Sequence, residues 1–225
     1  MDKKILGVFV LLTVTALACG MGDILPGGEE EGPPPPTPVP VDVILFQDDL
    51  NDSNSGWEVG EYDGGDVGYK DGVYFVTSTT RDTMMWGVAG RSFDNVVVAV
   101  DVTQISAGPT SNNAYGVVCR EQDGGGMGYY LRISGDGHYS IVKAANEAFT
   151  PLVDWTESSA IKQGNATNHI QATCSGTSIE LFVNGERVGG VEDSTFATGD
   201  IAFTATTYED EITEIHFDNV VVYNP

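Results

Sequence analysis

Basic residues are scarce in this chain. Ten lysines and arginines stand against thirty-three aspartates and glutamates, a formal net charge of −23. A surface that acidic argues against nucleic acid as a partner and against adhesion to anionic lipid. Outside a cell it serves solubility; calcium binding and a saline habitat are the sharper readings. Catalytic signatures are missing too: there is no G-x-S-x-G elbow, no H-E-x-x-H pair and no phosphate-binding glycine loop. The three histidines, His138, His169 and His216, are scattered, each beside apolar strand residues. That setting suits a sheet face better than a metal ligand or a catalytic base. No segment of 42–225 carries a convincing helical period. Cysteine is limited to Cys19, Cys119 and Cys174.

The first cysteine has an informative setting. Lys3 and Lys4 precede an apolar run from Ile5 to Ala18, and Ala16-Leu17-Ala18 leads into Cys19-Gly20. This is the layout of a cleavable export signal, too short and too weakly flanked for a stable membrane span. It resembles the bacterial lipoprotein cleavage box, in which the thiol is lipidated and becomes the new N-terminus. Ala16 stands where that box favours Leu. An ordinary secretory signal that happens to contain a cysteine is the alternative. The expected organisation is a signal peptide over 1–18, a lipid-anchored linker over 19–41 and one domain over 42–225. The expected location is the bacterial cell surface or periplasm, with the membrane as a partner through the anchor.

The linker cannot build a core. It holds Gly27-Gly28, Glu29-Glu30-Glu31, the run Pro33 to Pro36, and Pro38 and Pro40. Proline removes donors and fixes φ, and almost no apolar surface is available to bury. An extended, disordered tether is expected, reaching roughly 3 Å per residue. The two remaining cysteines, Cys119 and Cys174, lie in strand-like stretches. In an exported protein an even pair points to a disulfide, with two buried free thiols as the alternative.

The rest of the chain reads as strands. Val96, Val98, Val100 and Val102 alternate with Val97, Ala99 and Asp101; Tyr129, Leu131 and Ile133 alternate with Tyr130, Arg132 and Ser134. The same period of two runs through 169–174 and 179–184. Turn residues separate these runs: Asp71-Gly72, Asp136-Gly137 and, most clearly, Asn184-Gly185. Ala144–Thr150 is the one stretch read as a short helix or an irregular loop. With 28 glycines and many short strands, the domain is predicted to be all-β, an antiparallel two-sheet sandwich of jelly-roll type.

Several segments then carry a family resemblance. Phe46-Gln47-Asp48-Asp49-Leu50 followed by Ser55-Gly56-Trp57 resembles the opening of concanavalin A-like (laminin-G-like) jelly-roll domains of bacterial lipoproteins. Gly128–Ile133, Gly137-His138-Tyr139, Leu181–Gly185 and Phe217-Asp218-Asn219-Val220 are similar as well. The resemblance spans 44–223 and is nearest to the 3-keto-disaccharide hydrolase-like group. It implies a concanavalin A-like sandwich, a fold that carries lectins, glycanases and plain adhesive modules. Glycanases of this fold use a strand with E-x-D-x-x-E to aim two carboxylates into one cleft. Glu209, Glu211 and Glu214 copy the spacing, but Glu stands in place of the central Asp and the alternating apolar residues are missing. The segment reads as an acidic turn.

Two candidate sites remain. Asp48 and Asp49 at the first strand and Asp218 at the last would converge on calcium if the terminal strands lie side by side. Arg120, Tyr130, Arg132 and His138 fall in the polar phase of neighbouring strands and would form a stripe for carbohydrate, with Asp123–Gly126 opening beside it. An ordinary solvent face tolerates the same four side chains. Trp57 and Trp155 read as core, and Trp86 as either core or platform. The expected function is a non-catalytic surface module for glycan or another extracellular ligand. A glycoside-hydrolase-like enzyme and a structural, adhesive envelope module are the alternatives.

Overall fold

The computed structural model describes residues 44–146 and 148–225. The signal segment, Cys19 and the linker lie outside the described residues. The described chain forms strands and no helix. In order these are β1 (Ile44–Asp48), β2 (Gly60–Tyr62), β3 (Gly65–Lys70), β4 (Val73–Ser78), β5 (Met84–Phe93), β6 (Val96–Ser106), β7 (Asn113–Gln122) and β8 (Met127–Ile133). They continue as β9 (His138–Ala145), β10 (Ala148–Glu157), β11 (Thr167–Ser175), β12 (Ser178–Val183), β13 (Glu186–Glu192), β14 (Gly199–Thr207) and β15 (Thr213–Tyr223).

All pairings are antiparallel and fall into two sheets. One runs β13-β12-β11-β6-β15-β4-β3-β2, with β1 added along the second half of β15; the other runs β10-β9-β8-β7-β14-β5. This is the two-sheet jelly roll that the alternation predicts. The inward phase of both sheets builds one core: Val96, Val98, Val100 and Val102 from β6 meet Tyr129, Leu131 and Ile133 from β8 and Phe203 from β14. Trp57 is part of it, stacked on Phe203 at 4.2 Å, and Phe203 stacks on Phe217 at 4.3 Å. Each such aromatic pair contributes about 1 kcal/mol beyond its buried area.

The turns follow their chemistry. Asp71-Gly72 and Asn184-Gly185 have positive φ at both positions, as a type I′ hairpin demands. Ala144–Thr150 departs from expectation. It holds the end of β9 and the start of β10, and Phe149 pairs with Ala144 across the hairpin. The segment was read as a short helix or an irregular loop, but β10 recruits it as the edge of the six-stranded sheet.

Among the links between the sheets, three involve the strands around the core's disulfide end. Cys119 on β7 and Cys174 on β11 form a disulfide across the core, with Cα atoms 6.6 Å apart. Asp193, just past β13, accepts hydrogen bonds from Lys143 Nζ on β9 at 2.6 Å and from Tyr129 Oη on β8 at 2.6 Å. The third is Arg120. Its φ of 55° marks a bulge that breaks the β7–β8 register between Cys119 and Gln122. The guanidinium is thereby swung to the end of the sandwich, where it donates to the carbonyls of Asp94, Gly176 and Phe196.

Candidate functional site

The outer face of the six-stranded sheet is not an ordinary solvent face. A second, smaller apolar cluster lies on it: Val118, Tyr130, Val142, Ala144 and Ala202, with Met84, Trp86 and Val88 half-buried against them. Part of its cover is the β7–β8 hairpin. Glu121 accepts from Gly126 N at 2.7 Å and from Gly124 N at 2.9 Å, and Tyr130 Oη donates to Gly126 O at 2.8 Å. These bonds fold the loop back onto Trp86. A Cβ on Gly126 would meet the indole at 2.8 Å, so only glycine allows this approach.

Beside this cover the face opens into a cleft of about 240 Å³, lined by Asp82, Met84, Arg132, Val142, Phe149, Pro151, Thr206 and Tyr208. Each element contributes by its register. Arg132 on β8 lies opposite Ser140 on β9 and opposite Gly116 on β7, so no side chain crowds it from the β7 side. Pro151 pairs with Val142 on this face. Two bulges in β10 then change its phase. Val153 packs against the inner core, and Trp155 returns to the outer face beside Arg132 and Tyr208.

Arg132 is the centre of the cleft. It is 7% exposed. Its Nη1 donates to Tyr208 Oη at 3.3 Å and its Nη2 to Ser140 Oγ at 3.1 Å. Its Nε is buried with no partner, and so is Thr206 Oγ1 on β14. The guanidinium lies 5.2 Å from the ring of Trp155, and Trp155 meets Tyr208 edge to face at 6.5 Å. Phe149 is 57% exposed and Trp155 40%. Aromatic faces at the rim and a cation with spare donors at the base form an arrangement that can stack on a ring and hold its polar substituents.

Of the four stripe residues predicted for a ligand, Tyr130, Arg132 and His138 share this face, and Arg120 does not. Arg120 is parted from them by its bulge. Tyr130 is on the face but fully buried beneath the glycine loop, so it offers no stacking surface. Its hydroxyl resists ionisation because of that burial. His138 is held by Asp136 at 2.9 Å. His169 pairs with Asp101 and His216 with Glu214, the sheet-face role expected of them. Trp155, expected in the core, lies beside the cleft against Arg132 and Tyr208; the two β10 bulges cancel, so it shares the outer face with Phe149 and Pro151. Phe149, Thr206 and Tyr208 were not anticipated; nothing in the local sequence marks them before β10 and β14 are placed.

The acidic residues divide similarly. β1 does pair with β15, Asp48 lying opposite Val220. A register shift between Asp218 and Val221 leaves Asp218 beside Asp101 instead. Asp48, Asp49 and Asp218 each accept a nearby backbone N–H, and among the described residues no three acids, histidines or cysteines gather as a metal site. Glu209 fixes the loop at Thr110 and Asn112, as an acidic turn would, whereas Glu214 belongs to β15 and binds Lys70. Elsewhere, Glu121 and Asp200 line a second cleft. Burial pushes both carboxyls above their ordinary values. Glu121 spends both oxygens on the glycine loop, and Asp200 Oδ1 accepts from Arg91 N and Ile201 N.

Comparison with known proteins agrees with this architecture. Residues 103–224, more than half of the chain, match the family model described as the concanavalin A-like lectin/glucanases superfamily. No curated protein matches in sequence. Among solved structures, the carbohydrate-binding module CBM66 from Bacillus subtilis superposes with a TM-score of 0.54 at 18% identity, over 76% of this chain and 96% of that one. The Emp47p carbohydrate recognition domain gives 0.56 at 11% identity, over 83% and 99%. A Bacteroides ovatus mixed-linkage glucan GH16, solved with its G4G4G3G product, gives 0.54 at 12% identity, over 80% and 100%. At these identities the likeness is one of fold.

Proposed function

The chain belongs to the concanavalin A-like lectin/glucanase superfamily, and we propose that it is a non-catalytic glycan-binding module. The observation that carries this reading is the cleft at Arg132, where exposed aromatic rings flank a buried cation whose terminal nitrogens each keep one donor unspent. Sugar rings present apolar C–H faces to aromatics and hydroxyls to planar polar groups, which is the chemistry this lining offers. Neighbours in fold whose names state carbohydrate binding or recognition support the same reading. Hydrolysis is the weaker alternative. Asp82 is the one acid among the residues lining the cleft, and its side chain is exposed and pairs with Arg81. Glycosidic cleavage asks for two carboxylates flanking the bond.

We further infer from the sequence that Cys19 is lipidated and that the proline-rich linker holds the module away from a bacterial membrane. Glycan capture at the cell envelope would then be the module's task. A glycan array probed with the full chain tests the proposal. Dose-dependent binding to a defined set of sugars is expected, and an array silent at high protein concentration would refute it.

A further inference from the structure

Two arginines are buried on the six-stranded sheet, and they are treated very differently. Arg120 is 1% exposed and makes four hydrogen bonds to three backbone carbonyls. Its charge is met by the carbonyl dipoles of the fold itself. Arg132 makes two bonds, both to neutral hydroxyls, and its Nε has no partner. Among the described residues no carboxylate forms an ion pair with it. The chain carries thirty-three acidic side chains. Asp82 lines the same cleft, but it is 72% exposed and turned to Arg81. A desolvated cation without a counterion costs stability unless something supplies the missing charge.

Resting on the glycan-binding reading, we propose that the cleft takes an acidic sugar, with the carboxylate of a uronic acid residue paired to Arg132. A guanidinium has five N–H donors in a planar fork that matches a carboxylate. One donor on each terminal nitrogen is occupied by Tyr208 and Ser140, which leaves one on each for a carboxylate. Nε and Thr206 Oγ1 are themselves enclosed, so contact falls to the terminal nitrogens. Trp155, beside the guanidinium, supplies a surface for the sugar ring. The chain's net charge of −23 repels a densely charged polymer at long range. The cleft therefore suits a glycan with a single or terminal uronic acid, not a polyanion.

The test uses matched pairs of oligosaccharides in gluco, galacto and manno configuration, each neutral or ending in the corresponding uronic acid, titrated calorimetrically into the full chain. In at least one pair the acidic member is expected to bind about tenfold or more tightly, the size of one charged hydrogen-bonded contact. Arg132→Gln should remove that preference. The wild-type comparison decides the question even if this variant folds poorly. If neutral sugars bind and no acidic member is preferred, the acidic-sugar proposal fails while glycan binding stands. If no sugar of either kind binds and the array is silent, both fail.

Discussion

Trp155 lies over the guanidinium of Arg132, 5.2 Å from ring to charge, although the two residues come from strands that do not pair with each other. β9 separates them. The contact exists because the two bulges in β10 cancel and leave the indole on the outer face. The relationship sets an aromatic ring beside the cleft, against one side of a buried cation.

Trp155→Ala should therefore weaken glycan binding about tenfold with little change in melting temperature. The residue is 40% exposed, so its packing contributes little to the core, whereas loss of a stacking face removes ~1–2 kcal/mol of contact. Calorimetric titration alongside a thermal melt checks both halves. A large fall in the melt would identify Trp155 as structural.

Arg120→Met should behave in the opposite way. It leaves the carbonyls of Asp94, Gly176 and Phe196 without their donor, at a cost on the order of 3 kcal/mol. Denaturant unfolding should show this loss, while any sugar affinity measured on the folded fraction stays near wild type. The same measurement on Arg132→Gln should show a small stability change and a large binding change.

Removal of the disulfide tests the link between the sheets. The bridge spans 55 residues of sequence, for which the chain-entropy model gives about 4 kcal/mol. Replacing Cys119 and Cys174 with Ala should lower the melting temperature by roughly 10 °C. Mass mapping of the native protein should find the two joined.

Acid should loosen the Asp193 latch. Burial raises the cost of its charge, but bonds from Lys143, Thr195 and Tyr129 outweigh this and hold the carboxyl well below the usual carboxylate value. The unfolded carboxyl titrates near pH 4. A depressed folded value means the latch stabilises fully above that range and is lost as pH falls through and below it. Wild type should lose stability faster than Asp193→Asn between about pH 4 and pH 2. Parallel melts of the two proteins across that window make the comparison.

Much of the fold was legible in the sequence because period-two alternation and I′ turn residues act locally. Val96–Val102 and Asn184-Gly185 needed no tertiary knowledge. The disulfide was legible from the expected export signal and from the even pair of cysteines in the domain. The cleft was legible only in part. Arg132 and His138 lie on the outer face that alternation assigns them, but the same alternation misplaced Arg120, where a bulge intervenes; Trp155 was read as core, and its outer position needed β10 to be traced. A bulge adds a residue on one strand without a reliable local signature, and every side chain beyond it changes face. Asp218 failed to reach Asp48 for a similar reason, a register shift in β15.

The central claim, that the outer cleft of the six-stranded sheet holds a glycan, is tested most directly by the indole N–H resonances. The chain has three tryptophans, and they report on three places: Trp57 in the core, Trp86 under the glycine loop and Trp155 at the cleft. Titration with a sugar that binds on the array should shift the Trp155 resonance most, and Trp57 should stay still. A titration that saturates while Trp155 does not move, with Trp86 or neither indole responding, would contradict the assignment of the cleft.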